Sequence, residues 1–366
     1  MSTKTELHTH LMGMLTAKQF LKLISAFTSK IYWPINEPIT ENSKFVDIND
    51  IIKSEEFLNA LRIRRNTTVN YQELNNFYHS RTELLKYAIY IYEQKCGSKL
   101  KAETLIYSMY VNECLKELIN QGVEYVEISY SIPRIINNII VETEIQKKIK
   151  SKFLLSTDRS RPLRDIKRSC QDLKMLLDND LSAGFDIMGQ EIPLTDIEKD
   201  YSDYSNNSQS FKRKLELLLD TMNHYKNSTL RIHSGETKMS FDNTEQILIY
   251  IKELKEEKKF IIPPPEIRIG HGIYFNKNEK YLSLLREFGV IVEINASSNL
   301  ALGNIHTYSD LPYDYYLNSG IKVVLSTDGH GLYHTTIPIE STIAQLVSNN
   351  YEKIISTDDD VIERKK

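Results

Sequence analysis

In Leu230-Arg231-Ile232-His233-Ser234-Gly235-Glu236 a short apolar-rich run ends in a histidine, turns at a glycine and presents an acid. The run is too short for a helix and sits between two helical patterns. Upstream, Phe211, Leu215, Leu218, Leu219 and Met222 fall on one helical stripe. Downstream, Thr244 opens a second stripe through Ile247, Ile251 and Leu254. A strand between two helices, with chemistry at its C-terminal end, is the unit of a parallel α/β fold.

The same unit recurs along the chain. Apolar runs rich in Val and Ile lie at Leu7 and its neighbours, Val123–Ile128, Phe153–Leu155, Phe185–Met188, Ile267–Ile269, Val290–Ile294 and Ile321–Leu325. With Thr229–Ile232 that makes eight. They do not alternate with polar residues, the pattern of parallel strands covered on both faces. The helical stretch Leu105–Ile119 ends before Gly122, a C-cap residue. Eight such repeats predict a (β/α)8 barrel of the TIM type. An open doubly wound sheet is the alternative, and the Gly-rich phosphate loop that would favour it is missing after the first strand. About 110 residues separate the first strand from Val123, far more than one crossover needs. They are mostly helical in pattern, with a loop-like stretch at Ile31–Asp50, and predict a helical cap over residues 11–120 inside a single domain of residues 1–366. Polar loops are expected at Ser202–Ser208 and Pro263–Pro265.

Composition narrows the partners. The chain has 366 residues, 41% apolar and 26% charged, with a formal net charge of −3. That fits a large-cored globular protein and gives no reason to expect nucleic acid or an anionic membrane surface. The three cysteines, Cys96, Cys114 and Cys170, are odd in number and widely spaced, which speaks against a disulfide framework and for a reducing, cytoplasmic setting. No apolar stretch reaches 18 residues, and the N-terminus lacks the apolar core of a signal peptide.

The histidines and acids carry the functional signal. His8 and His10 are two apart at the end of the first strand, so both imidazoles point to one side. His233, His271 and Asp328 each stand just past another predicted strand. In a parallel barrel these ends converge on one face. Imidazole and carboxylate donors suit Zn²⁺ and related divalent ions. Glu236, three residues after His233 across a glycine, is placed to fold back beside a metal and shuttle protons.

These residues resemble the adenosine/AMP deaminase family. The resemblance rests on Glu6-Leu7-His8-Thr9-His10-Leu11, Tyr125-Val126-Glu127-Ile128-Ser129-Tyr130-Ser131, Phe185-Asp186-Ile187-Met188-Gly189-Gln190-Glu191, His233-Ser234-Gly235-Glu236, Arg268-Ile269-Gly270-His271-Gly272 and Ser326-Thr327-Asp328, in the family's order. It implies one Zn²⁺ per chain on His8, His10, His233 and Asp328, lowering the pKa of a water. His271 would orient or deprotonate that water, with Asp328 as a further hydrogen-bond partner. Glu236 would protonate N1 of a purine, the water would add at C6, and ammonia would leave. The backbone of Gly189 would face N3. The expected ligand is a purine nucleoside or nucleotide. The resemblance also leaves room for a homo-oligomer or larger assembly, including the antiphage assemblies in which related chains occur, with a mainly structural or binding role as the alternative to catalysis.

Three departures stand out. Met12 occupies the position where the family's adenosine enzymes carry an Asp that meets the 5′-hydroxyl, which makes adenine nucleotides (AMP, ATP or dATP) plausible substrates and puts forward Arg159 and Arg134 as phosphate partners. Gly329 stands where the family's second Asp meets N7, and His330 is either a substitute N–H donor or a cap of the loop. Only 38 residues follow Asp328, so the last elements are expected to be pared down or completed by a partner subunit.

Overall fold

Ten strands order the described residues of the computed structural model, which are 2–33, 44–64, 67–194, 208–258 and 265–365. They are β1 (Thr5–His10), β2 (Lys30–Trp33), β3 (Lys44–Asp47), β4 (Tyr125–Tyr130), β5 (Lys150–Asp158), β6 (Ser182–Met188), β7 (Thr229–Ser234), β8 (Glu266–His271), β9 (Ile291–Ile294) and β10 (Lys322–Leu325). Eight form one parallel sheet in the order β1-β4-β5-β6-β7-β8-β9-β10. The ends meet where Thr9 bridges Asp328 in parallel, with Asp328 N donating to His8 O at 2.8 Å. This is the expected (β/α)8 barrel, and the closure excludes the open doubly wound sheet. All eight apolar runs fall on barrel strands, with ends displaced by a few residues.

The inside of the barrel departs from the sequence reading. Buried charges point inward: Glu127 on β4, Asp186 on β6, Arg231 on β7, Arg268 on β8 and Glu293 on β9. Arg268 binds Glu127 at 2.8 Å and Glu293 at 3.3 Å, and Arg231 binds Asp186 at 2.8 Å. Each carboxylate and guanidinium finds an opposite charge, which is the condition for burying either. The apolar residues between them, such as Leu230, Ile232, Ile267 and Ile269, form the layer under the helices.

Between β1 and β4 run the helix Ala17–Ser25, the antiparallel pair β2–β3, and the long helices Tyr71–Cys96 and Lys99–Asn120. The stretch read as a loop at Ile31–Asp50 therefore holds parts of two strands and the start of a helix, while residues 34–43 lie outside the described ones. Of the two other predicted loops, residues 202–207 and 263–264 also lie outside, and Ser208 opens the helix Ser208–Met222. Asn70 caps Tyr71–Cys96 in a reciprocal capping box with Glu73. After Asp328 come the helices Ile337–Val347 and Tyr351–Lys365. The second closes the lower end of the barrel, where Asp358 accepts from the backbone N–H groups of Lys4 (2.7 Å) and Thr5 (3.2 Å).

Candidate active site

The barrel brings the strand-end residues together. His8 Nε2 and His10 Nε2 lie 3.0 and 3.2 Å from His233 Nε2, and 3.7 and 3.3 Å from Asp328 Oδ1. Donors of a tetrahedral Zn²⁺ site, each about 2.0–2.2 Å from the ion, stand roughly 3.3 Å apart, so this spacing fits such an ion. The outer nitrogens fit it too. His8 Nδ1 is 3.0 Å from Glu293 Oε2, and His233 Nδ1 is 3.1 Å from Asp186 Oδ1 and 3.2 Å from Ile187 O. The neighbours of His233 Nδ1 are both acceptors, which calls for the proton on Nδ1 and turns its Nε2 lone pair inward, while His8 Nδ1 faces both Glu293 Oε2 and, at 3.2 Å, Asn295 Nδ2. Inward lone pairs at such distances repel unless a cation lies between them. Burial and neighbouring charges push His8 well below its ordinary pKa, and burial above all lowers His233 to about 4, so both rings are neutral ligands. Burial disfavours ionised Asp328, but His10, His271 and His233 outweigh it and hold the carboxyl well below its usual range.

His271, at the end of β8, joins the cluster: ligand atoms of His8, His233, His271 and Asp328 all lie within 4.8 Å of one another. Its Nδ1 is 3.0 Å from Asn299 Oδ1, and its Nε2 is 3.8 Å from Glu236 Oε1. Burial lowers the pKa of His271, yet Glu236 and Asp328 carry it above the ordinary value. Glu236 moves up as well, by burial first and then by Asp328 and Glu191. A carboxyl and an imidazole that are both shifted upward and face each other are candidates for an acid–base pair. His271 and Asp328 both have left-handed backbone, φ 70° and 62°, a strained conformation for side-chain-bearing residues that gathers at functional sites.

A cavity of about 290 Å³ opens beside this cluster, lined among others by His10, Met12, Asp158, Gly189, His233, Glu236, His271 and Asp328. Tyr71, Leu74, Asn75, Tyr78 and Thr82, one face of the helix Tyr71–Cys96, form its far wall. Met12 and Gly189 thus lie where the sequence reading set them. Three residues do not. Arg159 is buried behind the wall and donates to His233 O at 2.5 Å, so its guanidinium holds main chain. Arg134 pairs with Glu103 away from the cavity. His330 is buried in the turn after Asp328 and does not reach the lining. Among the described residues lining the cavity there is no Lys or Arg.

The strand-end logic passed over Asp158, which closes β5 and lines the cavity. It also missed the outer partners Asp186 and Glu293, whose only signal was a charge inside an apolar run.

A family model described as adenosine deaminase matches residues 264–353. The adenosine deaminase of Clostridium acetobutylicum is 26% identical over 91% of this chain and 84% of its own length. That of Enterococcus faecalis is 34% identical over 20% of this chain and 22% of its own length. Among solved structures, the N6-methyl-AMP deaminase of Arabidopsis thaliana superimposes with a TM-score of 0.61 at 18% identity, covering 96% of this chain and 88% of the other. A zinc-bound amidohydrolase of Burkholderia ambifaria gives 0.61 at 13%, covering 98% and 85%. Fold and site together are those of a (β/α)8 barrel that carries a His/Asp cluster able to hold a metal ion at the C-terminal ends of its strands. The chain is similar to adenosine deaminases, in the family model over residues 264–353 and in the Clostridium acetobutylicum relative over most of its length. Among the described residues no helix is long and apolar enough to cross a membrane.

Proposed function

We propose that this protein hydrolyses the 6-amino group of adenosine or a close adenine nucleoside, giving the 6-oxo purine and ammonia. The observation that carries the reading is the pairing of Glu236 with His271, 3.8 Å apart, at the mouth of the four inward ligand atoms. His8, His10, His233 and Asp328 would hold one Zn²⁺, which when bound activates a water as the nucleophile. Zinc in the Burkholderia ambifaria amidohydrolase supports that choice of ion. Glu236 gives its proton to N1 and so draws electrons from C6. His271 takes a proton from the attacking water and returns it to the departing amine. Asp186, with Ile187 O, keeps His233 in the tautomer that faces inward, and Glu293 and Asn295 hold the outer nitrogen of His8. Gly189, with φ 98°, presents backbone to the base edge opposite C6.

The lining supports a ligand without a phosphate. It offers three carboxylates, Asp158, Glu236 and Asp328, and among the described residues no Lys or Arg. An anionic group there would meet like charges in a partly desolvated space. Asp158 Oδ1 already accepts from Ser160 N at 2.8 Å and Ser160 Oγ at 2.5 Å, and Oδ2 faces Gly189. A sugar hydroxyl is the donor that suits it. The test is a panel of adenosine, deoxyadenosine, AMP, ATP and dATP on zinc-loaded protein, followed by loss of adenine absorbance, with Glu236→Ala as the blank. Turnover of the nucleosides is expected. Turnover of nucleotides alone would overturn the phosphate-free reading, and turnover of none would overturn the reaction.

A further inference from the structure

We propose that Glu191 is the positioning residue that fixes Glu236 over the cluster. It lies three residues beyond β6 and is buried. Its carboxylate collects five hydrogen bonds from the turn after β7 and the helix that follows. Oε1 accepts from Ser234 Oγ (3.1 Å), Gly235 N (3.0 Å) and Asn243 Nδ2 (3.0 Å). Oε2 accepts from Glu236 N (2.9 Å) and Thr237 N (3.4 Å). Three consecutive backbone N–H groups, those of residues 235, 236 and 237, thus converge on one side chain.

Such convergence is an anion nest filled from within the chain. Gly235 makes it by adopting φ +69°, and a Cβ there would stand 2.5 Å from Tyr274 O. The turn is tied from its other side as well, since Ile273 N and Tyr274 N donate to Gly235 O at 2.9 and 2.8 Å. Asn243 anchors Glu191 in return, giving its second Nδ2 hydrogen to Ile192 O (2.8 Å) and accepting from Leu194 N (2.8 Å). The connections after β6, β7 and β8 therefore grip one turn, and Glu236 is the residue at its centre. A turn left to itself would let the Glu236 carboxyl swing, and proton transfer tolerates little misplacement.

A carboxylate suits this place because all five contacts are donors and its oxygens accept. Glu191→Gln keeps the volume but turns an NH₂ toward donors on one side. The geometric claim stands by itself; its effect on rate rests on the deaminase reading. In Glu191→Gln the amides of 235–237 are expected to exchange with solvent faster while metal content stays at the wild-type value. The turnover number is expected to fall about 10²-fold with little change in KM, the scale of an ångström-sized misplacement. In a Glu236→Gln background the Glu191→Gln change is expected to add no further loss, since it acts through a group already removed. Asn243→Ser, which removes one of the five donors, is the milder variant should Glu191→Gln fail to fold, with smaller shifts in both readouts. Unchanged exchange at 235–237, or an equal rate loss with and without the Glu236 carboxyl, would overturn the proposal. A wild type that turns over no purine would overturn the deaminase reading and leave the exchange result to decide on Glu191.

Discussion

Replacing Gly270 by alanine tests whether the four inward ligand atoms form one site. Gly270 is on β8, and a Cβ built there would stand 2.6 Å from His8 Cε1 and 3.0 Å from His8 Nδ1. Carbon atoms in contact sit about 3.5–4.0 Å apart, so the imidazole would have to retreat by about 1 Å. It has little room to do so. His8 is fully buried, its Nδ1 is 3.0 Å from Glu293 Oε2, and its ring packs edge-on against those of His233 and His271. The backbone is not the obstacle, since Gly270 needs no left-handed conformation. Disturbing the support of a metal-binding histidine lowers affinity by about 10- to 100-fold, and an ångström of misplacement costs about 10²-fold in rate. Gly270→Ala is therefore expected to weaken zinc binding by about 10²-fold, near 2.7 kcal/mol at 1.36 kcal/mol per tenfold, with the fold retained. A competitive chelator titration followed by inductively coupled plasma analysis reads the affinity, and circular dichroism reads the fold. A folded Gly270→Ala protein that binds zinc as tightly as the wild type would refute the assignment of His8 as a ligand.

Other variants separate positioning from recognition. Asp158→Asn should lower kcat/KM for adenosine about tenfold and narrow its preference over AMP, and an unchanged ratio in the substrate panel would remove Asp158 from recognition. Arg159→Ala leaves the buried carbonyl of His233 without its donor; a loss of about 1–3 kcal/mol in denaturant titration is expected, with adenosine and AMP affected alike, whereas a loss confined to AMP would restore its role as a phosphate partner. Acid should unfold the lower end of the barrel through Glu266: burial would raise its carboxyl, but Arg268, Lys365 and Arg364 hold it at about 2 against an ordinary 4.5. A depressed carboxyl stabilises the fold above the unfolded value and loses that contribution as pH falls through the folded one. Glu266→Gln should therefore be the less stable protein at pH 7, with the difference closing between pH 4.5 and 2 in thermal melts; a gap that stays constant over that range would count against the ion cluster.

The eight strands were legible because each is a Val- and Ile-rich run short enough to exclude a helix, and the ligands were legible because a parallel barrel gathers every strand end on one face. His8, His10, His233 and Asp328 needed nothing more than that convergence. The errors share a physical cause. Arg159 stands at a strand end just as the histidines do, yet its side chain turns behind the wall to a carbonyl, and chain position carries no information about that turn. His330 follows Gly329, whose φ is 150°, and is buried away from the cavity lining. The predicted loop at Ile31–Asp50 hid an antiparallel pairing from Lys30↔Asp47 to Trp33↔Lys44, whose short strands carry no clear alternation of apolar and polar residues.

The sequence by itself determined the barrel class, the candidate ligating and acid–base side chains at the strand ends, and the resemblance to the deaminases, because these depend on periodicity and on residue type at strand ends. Tertiary structure alone decided what surrounds them. The inward charges Glu127, Asp186, Arg231, Arg268 and Glu293 look in sequence like interruptions of apolar strands; closure of the sheet pairs them and brings Glu293 and Asp186 to the outer nitrogens of His8 and His233. The carboxylates of Asp158 and Glu191 differ in placement, one lining the cavity and one holding a backbone turn, and packing between segments distant in sequence is not written in any local pattern.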